Sequence, residues 1–137
     1  MRRTLVIASA VMISVIGVVL LYPDGEYTSP EIQAAYNNRL AQHSDVLWVR
    51  YMSCTECFDL YIDSGKMIIP QDLSQQMRGR SDRDIIVCGK FPIQNINPGN
   101  FFHDPSARYR ITGKMIGIET RAAGEAPLFY VEQWERY

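Results

Sequence analysis

RYRITGKMIGI, Arg108–Ile118, and PLFYVEQWERY, Pro127–Tyr137, are the segments of this 137-residue chain that decide its fold. In the first segment Tyr109, Ile111 and Met115 alternate with polar residues, a period of two that is typical of a strand with one buried face. RAAGEAP, between the two segments, contains a glycine and predicts a turn. We therefore predict two long antiparallel strands in this part of the chain.

Further segments upstream have the same strand character. They are VLWVRYM (46–52), FDLYID (58–63) and DIIVCGKF (84–91). A turn at 63–66 leads from the second of these into MIIP (67–70), a pattern typical of β-hairpins. Gly89 and Gly113 lie inside predicted strands, where glycine often marks a bulge or a corner of a tightly coiled sheet. The sequence thus predicts a mainly β protein with a small barrel of five or six strands.

The succession IIVCGKF, RYRITGKMIGI and PLFYVEQW resembles the middle and end of small OB-fold-like domains, in which V-x-G-K strands precede a terminal aromatic strand. The resemblance covers residues 46–137 and implies an OB-like barrel, assigned to residues 45–137. The chain departs from the usual pattern because its longest helix is expected before the barrel instead of between the third and fourth strands. OB-folds bind oligonucleotides, oligosaccharides or proteins on one face, so the resemblance implies binding and leaves the ligand open.

One amphipathic helix is predicted ahead of the barrel, at residues 29–44, after a short polar linker at 23–28. Ser29 can cap this helix and Pro30 suits its first position. Its apolar face consists of Ile32, Ala35, Tyr36 and Leu40. We expect this face to pack on the barrel, with a solvated stalk as the alternative.

The N-terminus carries an uncharged run of apolar residues, Leu5–Tyr22, that would rise about 27 Å as a helix, close to the thickness of a hydrocarbon core. Secretory signal peptides have a shorter apolar region, followed by a cleavage site of small residues. Here the only such triplet, Ala8–Ala10, lies inside the run. We predict an uncleaved signal anchor, a transmembrane helix within residues 1–22, with a cleaved signal peptide as the alternative.

The positive residues Arg2 and Arg3 precede the apolar run, which predicts a cytoplasmic N-terminus and a domain on the other side of the membrane. No cysteine occurs before Cys54, so the chain lacks the thiol that a bacterial lipoprotein would acylate. We therefore expect a single-pass protein of the bacterial inner membrane with a periplasmic C-terminal domain. Secretion after cleavage is the alternative.

The charge of the domain limits the classes of partner. From Pro23 onward the chain has 15 acidic and 12 basic residues, which disfavours a polyanion clamp and makes nucleic acid an unexpected partner. The anchor and the short linker keep the domain close to the bilayer, so we expect the partner to be another envelope protein. No cofactor is predicted, and the sequence indicates no oligomeric state.

Cys54 and Cys57 form a C-x-x-C after a predicted strand, and Cys88 is the third cysteine. A thioredoxin-like redox pair would open a helix, but CFDLYIDSG favours a strand. A Cys₃His zinc site would need His103 as its fourth ligand. An extracytoplasmic compartment favours disulfides, and the sequence alone does not fix their connectivity. We expect a Cys54–Cys57 disulfide and a free Cys88, with a bond from either cysteine to Cys88 as the alternative.

No catalytic set of recognisable spacing occurs in the sequence. Basic and aromatic residues instead suggest a possible binding surface. They are Arg78, Arg80, Arg83, Arg110, Lys114 and Trp134. We predict a non-catalytic binding or assembly module, and the alternative is a periplasmic thioredoxin-like thiol-disulfide oxidoreductase that uses Cys54 and Cys57.

Overall fold

The computed structural model describes residues 26–51, 58–92 and 106–137. In chain order the elements are β1 (Glu26–Tyr27), α1 (Pro30–Asn37), β2 (Asp45–Tyr51), β3 (Leu60–Ser64), a one-turn 3₁₀ helix (Gln71–Leu73), β4 (Asp84–Pro92), β5 (Arg108–Arg121) and β6 (Gly124–Arg136). The predicted mainly β class is confirmed.

Strands β2 to β6 form a small closed barrel. The neighbours run in the order β4, β3, β2, β5, β6, and β6 pairs with β4 to close the circle. The closing pair is parallel, with Ile86 opposite Leu128 and Gly89 opposite Val131, whereas the other barrel pairs are antiparallel. The two-residue strand β1 adds to β4. Within the described ranges, a closed five-stranded barrel and one α-helix are consistent with an OB-like fold in general.

The barrel interior is filled by the apolar residues that alternate along the strands. Leu47 and Val49 of β2, Ile111 of β5 and Phe129 of β6 are fully buried there. Burial of one such side chain contributes roughly 1.5–3 kcal/mol relative to exposure. The residues that alternate with a period of two in the sequence are therefore the residues that fill the core.

A bulge at Gly113 brings β5 and β6 into very close contact. The pairing register of the two strands shifts between Thr112 and Gly113. A Cβ atom at Gly113 would lie 1.8 Å from the Tyr130 carbonyl oxygen, so no larger residue fits this backbone. Gly89 in β4 has φ +83°, a conformation that favours glycine. The two glycines therefore mark irregular positions of the sheet, as predicted.

Helix α1 packs on the outside of the barrel. Ser29 caps it as predicted, because its Oγ accepts a hydrogen bond from Ile32 N at 3.1 Å. Ile32 is buried against the outer faces of β4, β5 and β6. The helix ends at Asn37 and not at Ser44, since asparagine is a poor helix former whose side chain competes for backbone hydrogen bonds. Leu40 consequently lies in a turn and is 58% exposed.

The segment MIIP, expected to be a strand after the turn at 63–66, is irregular. Its backbone does not continue the ladder, because Ile68 N donates to the Asp45 side chain instead. Pro70 has no N–H to offer. Met67 is buried in the barrel core, so the tertiary contacts of the segment override its strand propensity.

Several predictions concern residues outside the described ranges. They are the transmembrane helix at Leu5–Tyr22 and the pair Cys54 and Cys57. Within residues 26–51, 58–92 and 106–137, no helix combines the length and apolar character needed to cross a bilayer.

Candidate functional site

The outer surface of β2 and β5 carries exposed apolar and cationic side chains. We call this surface the docking face and define it by Val46, Trp48, Arg50, Arg108 and Arg110. The register places Trp48 opposite Arg110 and Arg50 opposite Arg108. Opposite residues of paired strands project from the same side of the sheet. Since Leu47 and Val49 point into the core, the docking face points outward, with Val46 41% and Trp48 36% exposed.

The arginines of the docking face are held by neighbouring carboxylates and an aromatic ring. Arg50 Nε lies 3.1 Å and Arg108 Nε 3.8 Å from the Asp63 carboxylate of β3. The Arg50 guanidinium also lies 4.9 Å from the ring centre of Tyr61. Arg110 pairs with Glu135 of β6 at 2.8 Å. Three guanidinium groups thus share two carboxylates in these ion pairs.

A shallow cavity of about 70 Å³ continues the docking face toward β6. Arg110, Thr112 and Trp134 are among the residues that line it. Trp134 also contacts the barrel core, since its ring centre lies 5.5 Å from that of Phe91. Trp134, which is 38% exposed, therefore contacts the core and also borders an exposed cleft.

A second feature is a polar network that connects α1 and the segment between α1 and β2 to the barrel. Glu132 of β6 accepts hydrogen bonds from the hydroxyl groups of Tyr36 and Ser44. Lys114 Nζ donates to the Gln42 carbonyl at 2.7 Å and lies 3.7 Å from Glu132 Oε2. Stacking of Tyr36 on Tyr130, with 3.9 Å between ring centres, adds an aromatic contact. We call Glu132, Tyr36, Ser44 and Lys114 the helix network, because it ties α1 to the barrel.

The helix network shifts the acidity of its members. Burial, followed by the hydrogen bond to Glu132, raises the pKa of Tyr36 to about 12. Burial also acts to raise the pKa of Glu132, but the hydrogen bonds from Ser44 and Tyr36 and the charge of Lys114 outweigh it. The pKa of Glu132 consequently lies below its ordinary value. At neutral pH the network is therefore an ion pair with two hydroxyl donors.

Next to this network a cavity of about 300 Å³ opens between the chain before β2, the segment after β3, and β5. Its walls include Asp45 and Lys114, which are only 8% and 6% exposed. Asp45 Oδ2 accepts from Ile68 N at 2.8 Å. Burial raises the pKa of Asp45, and the Ile68 hydrogen bond and the Lys114 charge act against this shift. The cavity thus has two nearly buried groups of opposite charge on its walls.

Cys88, the cysteine that lies in a described range, is a free thiol in β4. It is fully buried, and its Sγ lies 3.6 Å from the Phe129 carbonyl oxygen. Burial, with the nearby charges of Glu119 and Asp59, raises the pKa of the Cys88 thiol. Since the thiolate is the reactive form, Cys88 has the properties of an inert core residue.

The structure distributes the six residues of the predicted binding surface over three regions. Arg78, Arg80 and Arg83 lie between β3 and β4, where Arg80 pairs with Glu125 at 2.8 Å. Arg110 and Trp134 border the shallow cavity, and Lys114 is nearly buried in the helix network. Their role in binding stays a prediction.

Sequence reasoning did not select Asp45, Glu132, Ser44 or Trp48 as site residues. Glu132 contacts Tyr36 and Ser44 across 96 and 88 positions of the chain, so no local spacing could reveal the network. The alternation of β2 did give a signal for Trp48, because this residue lies on the other face of the strand from the buried Leu47 and Val49.

Among the described residues, no group of three His, Cys, Asp or Glu side chains could hold a metal ion. His103, Cys54 and Cys57, the other ligands of the considered zinc site, lie outside the described ranges. Comparison of the chain with protein-family models, with curated proteins and with solved structures found no match.

Proposed function

We propose that this protein is a non-catalytic binding or assembly module, anchored in the bacterial inner membrane by residues 1–22, with its barrel in the periplasm. The OB-like barrel supplies a rigid scaffold, and the docking face supplies the contact surface. The observation that carries the proposal is the exposed Trp48, flanked on one sheet face by Val46, Arg50 and Arg110.

The composition of the docking face supports a protein partner. Tryptophan and arginine are enriched among the residues that dominate binding energy at protein interfaces. The strand that carries Trp48 is paired on both edges, yet Trp48 is 36% exposed. A partner could bury the rest of its indole. The indole is held on a paired strand of a closed barrel, which lowers the entropy lost on binding.

The charge of the docking face specifies the chemistry of the partner. Its three guanidinium groups share two carboxylates in their ion pairs, so the arginines can donate to further carboxylates of a partner. We therefore expect the partner to be an envelope protein that presents an apolar side chain flanked by carboxylates. Such charge complementarity acts mainly on specificity and on the rate of association.

Site-specific photocrosslinking in intact cells tests the proposal. A photoreactive amino acid at Val46 lies beside Trp48 on the docking face, and the same amino acid at Leu40 is exposed on the turn after α1 and serves as the control. We expect a discrete protein adduct from position 46 that is absent from position 40. Trp48→Ala and Arg110→Glu, introduced separately, should each abolish the adduct while the barrel stays folded.

Two results would contradict the proposal. One is capture of only lipid or glycan from position 46. The other is a protein adduct that survives both Trp48→Ala and Arg110→Glu, since the face would then not determine the contact.

A further inference from the structure

The cavity of about 300 Å³ beside the helix network is separate from the docking face and has a different chemistry. Much of its wall is apolar and comes from Ile68, Ile69, Pro70 and Met115. Its volume lies at the lower end of the range of about 300–1,000 Å³ that ligand pockets occupy. The cavity is therefore suited to one apolar group of modest size, with Lys114 and Asp45 available for polar contacts.

Lys114 retains hydrogen-bonding capacity. An ammonium group has three N–H donors, and the Gln42 carbonyl takes one at 2.7 Å. Glu132 Oε2, at 3.7 Å, is the ion-pair partner of Lys114 and takes a second donor at most. Within the described part of the chain, Lys114 can thus donate to one further acceptor.

Asp45 offers the complementary group. Its Oδ2 accepts from Ile68 N, and its Oδ1 can accept from another donor. Asp45 pairs with Gly113 in the β2–β5 register, and Lys114 is the next residue along β5. Asp45 and Lys114 both line the cavity, so an acceptor and a donor are available on its wall.

These charges discriminate between ligand classes. An anionic ligand would meet Lys114 but also the carboxylate of Asp45, and the charge of Lys114 is already paired with Glu132. A cationic ligand would meet the buried ammonium group. A neutral group with a carbonyl acceptor and an N–H donor matches both Lys114 and Asp45. The amide group has this pair of functions, and a peptide joins it to an apolar side chain.

We propose that the cavity binds an uncharged, apolar residue of a peptide chain, whose carbonyl oxygen accepts from Lys114 and whose N–H donates to Asp45. The side chain of that residue occupies the space between Ile69, Pro70 and Met115. The inference does not depend on the docking face, because the two sites share no residue.

Methyl NMR of the full chain in detergent micelles, labelled at the methionine methyl groups, tests this proposal. The probes are N-acetyl-leucinamide, which is neutral, N-acetyl-leucine, which is anionic, and leucinamide, which is cationic. We expect a saturable shift of the Met115 signal with the neutral probe, and binding weaker by about tenfold or more with each charged probe. Met77, buried in the core but not on the cavity wall, is the internal reference.

Variants identify the binding groups. Lys114→Met should weaken binding of the neutral probe by about tenfold or more. Because this change also removes a partner of Glu132, Gln71→Trp supplies an independent test by filling the cavity from an exposed position. Gln75→Trp, in the next turn and off the wall, is its matched control.

Three outcomes would overturn the proposal. They are no saturable Met115 shift up to the solubility limit of the neutral probe, tighter binding of either charged probe, and undiminished binding by Gln71→Trp. Failure here leaves the crosslinking result at position 46 unaffected, so the two proposals are judged separately.

Discussion

Removing the charge of Glu132 tests how strongly the helix network holds α1 on the barrel. Glu132→Gln keeps the shape of the side chain. Its carbonyl can still accept from Tyr36, and its amide N–H₂ can donate to the Ser44 hydroxyl, which is also an acceptor. The substitution therefore removes the charge and preserves most of the hydrogen-bond geometry.

The expected loss follows from the contacts. Hydrogen bonds to a charged group contribute about 1.5–3 kcal/mol, against about 0.5–1.5 for neutral partners, so two such bonds lose about 1 kcal/mol each. The partly buried pair with Lys114 adds a further contribution of about 1 kcal/mol at most. We expect the free energy of unfolding to fall by about 2–3 kcal/mol, which corresponds to a decrease in Tm of about 10 °C.

The pH dependence of this loss has a defined sign. The pKa of Glu132 is lowered in the folded state, so its stabilising effect is present above the unfolded pKa of about 4.3 and is lost as the pH falls through the folded value. The difference in Tm between the wild type and Glu132→Gln should therefore be largest at neutral pH and shrink in acid.

Thermal unfolding of the full chain, followed by near-ultraviolet circular dichroism at several pH values, measures both effects. Glu135→Gln is the matched control on the same strand, because the Glu135 side chain is 56% exposed and its ion pair with Arg110 should contribute less than about 1 kcal/mol. An unchanged Tm in Glu132→Gln, or a difference that persists undiminished in acid, would refute the reasoning.

Asp45→Asn should have the opposite pH dependence: burial raises the pKa of Asp45, so ionisation costs folded-state stability as the pH rises, and denaturant titrations should show the variant gaining on the wild type with increasing pH. A variant that loses stability relative to the wild type as the pH rises would contradict this expectation. Gly113→Ala should lower the free energy of unfolding by at least about 3 kcal/mol, since its Cβ would meet the Tyr130 carbonyl oxygen. Gly117→Ala, with open space around its Cβ, is the control, and equal urea midpoints for the two variants would show that the contact is not rigid. Cys54→Ser should leave the domain folded with a modest loss, toward the lower part of about 2–4 kcal/mol, because a Cys54–Cys57 bond closes a short loop. Mass spectrometry of the non-reduced protein identifies the bond, and insulin-reduction turnover that disappears in this variant would instead support the oxidoreductase.

The strands could be predicted because their burial follows a local rule. Tyr109, Ile111 and Met115 alternate along β5 and point into the barrel, and the glycine at 113 marks the bulge. The rule fails for MIIP, where Met67 packs into the core and Asp45 accepts a hydrogen bond from the backbone N–H of Ile68. That outcome depends on a contact between residues 23 positions apart. A prediction from local sequence patterns does not include such a contact.

The sites were less accessible to sequence reasoning because they join distant segments. In the alternation of β5, Lys114 falls on the outward-facing side, which suggests an exposed cation. In the fold that outer face is covered by Tyr36 and Gln42, so the residue is nearly buried. Cys88 and Ile116 also lie on outer faces that α1 and its neighbours cover. Alternation reveals which residues share a face, but it does not reveal which faces another element covers.

The parallel pairing of β4 with β6 determines when the chain can fold. The barrel cannot close until β6 has been synthesised, because β6 supplies the partner edge for both β4 and β5. Until then a nascent chain that has completed β2, β3 and β4 has strand edges open to other chains. Barrels dominated by such long-range pairing fold in milliseconds to seconds. A chain cut within β6 should therefore lose the whole barrel and aggregate, so C-terminal truncations would report on assembly of the fold and not on the function of the removed residues.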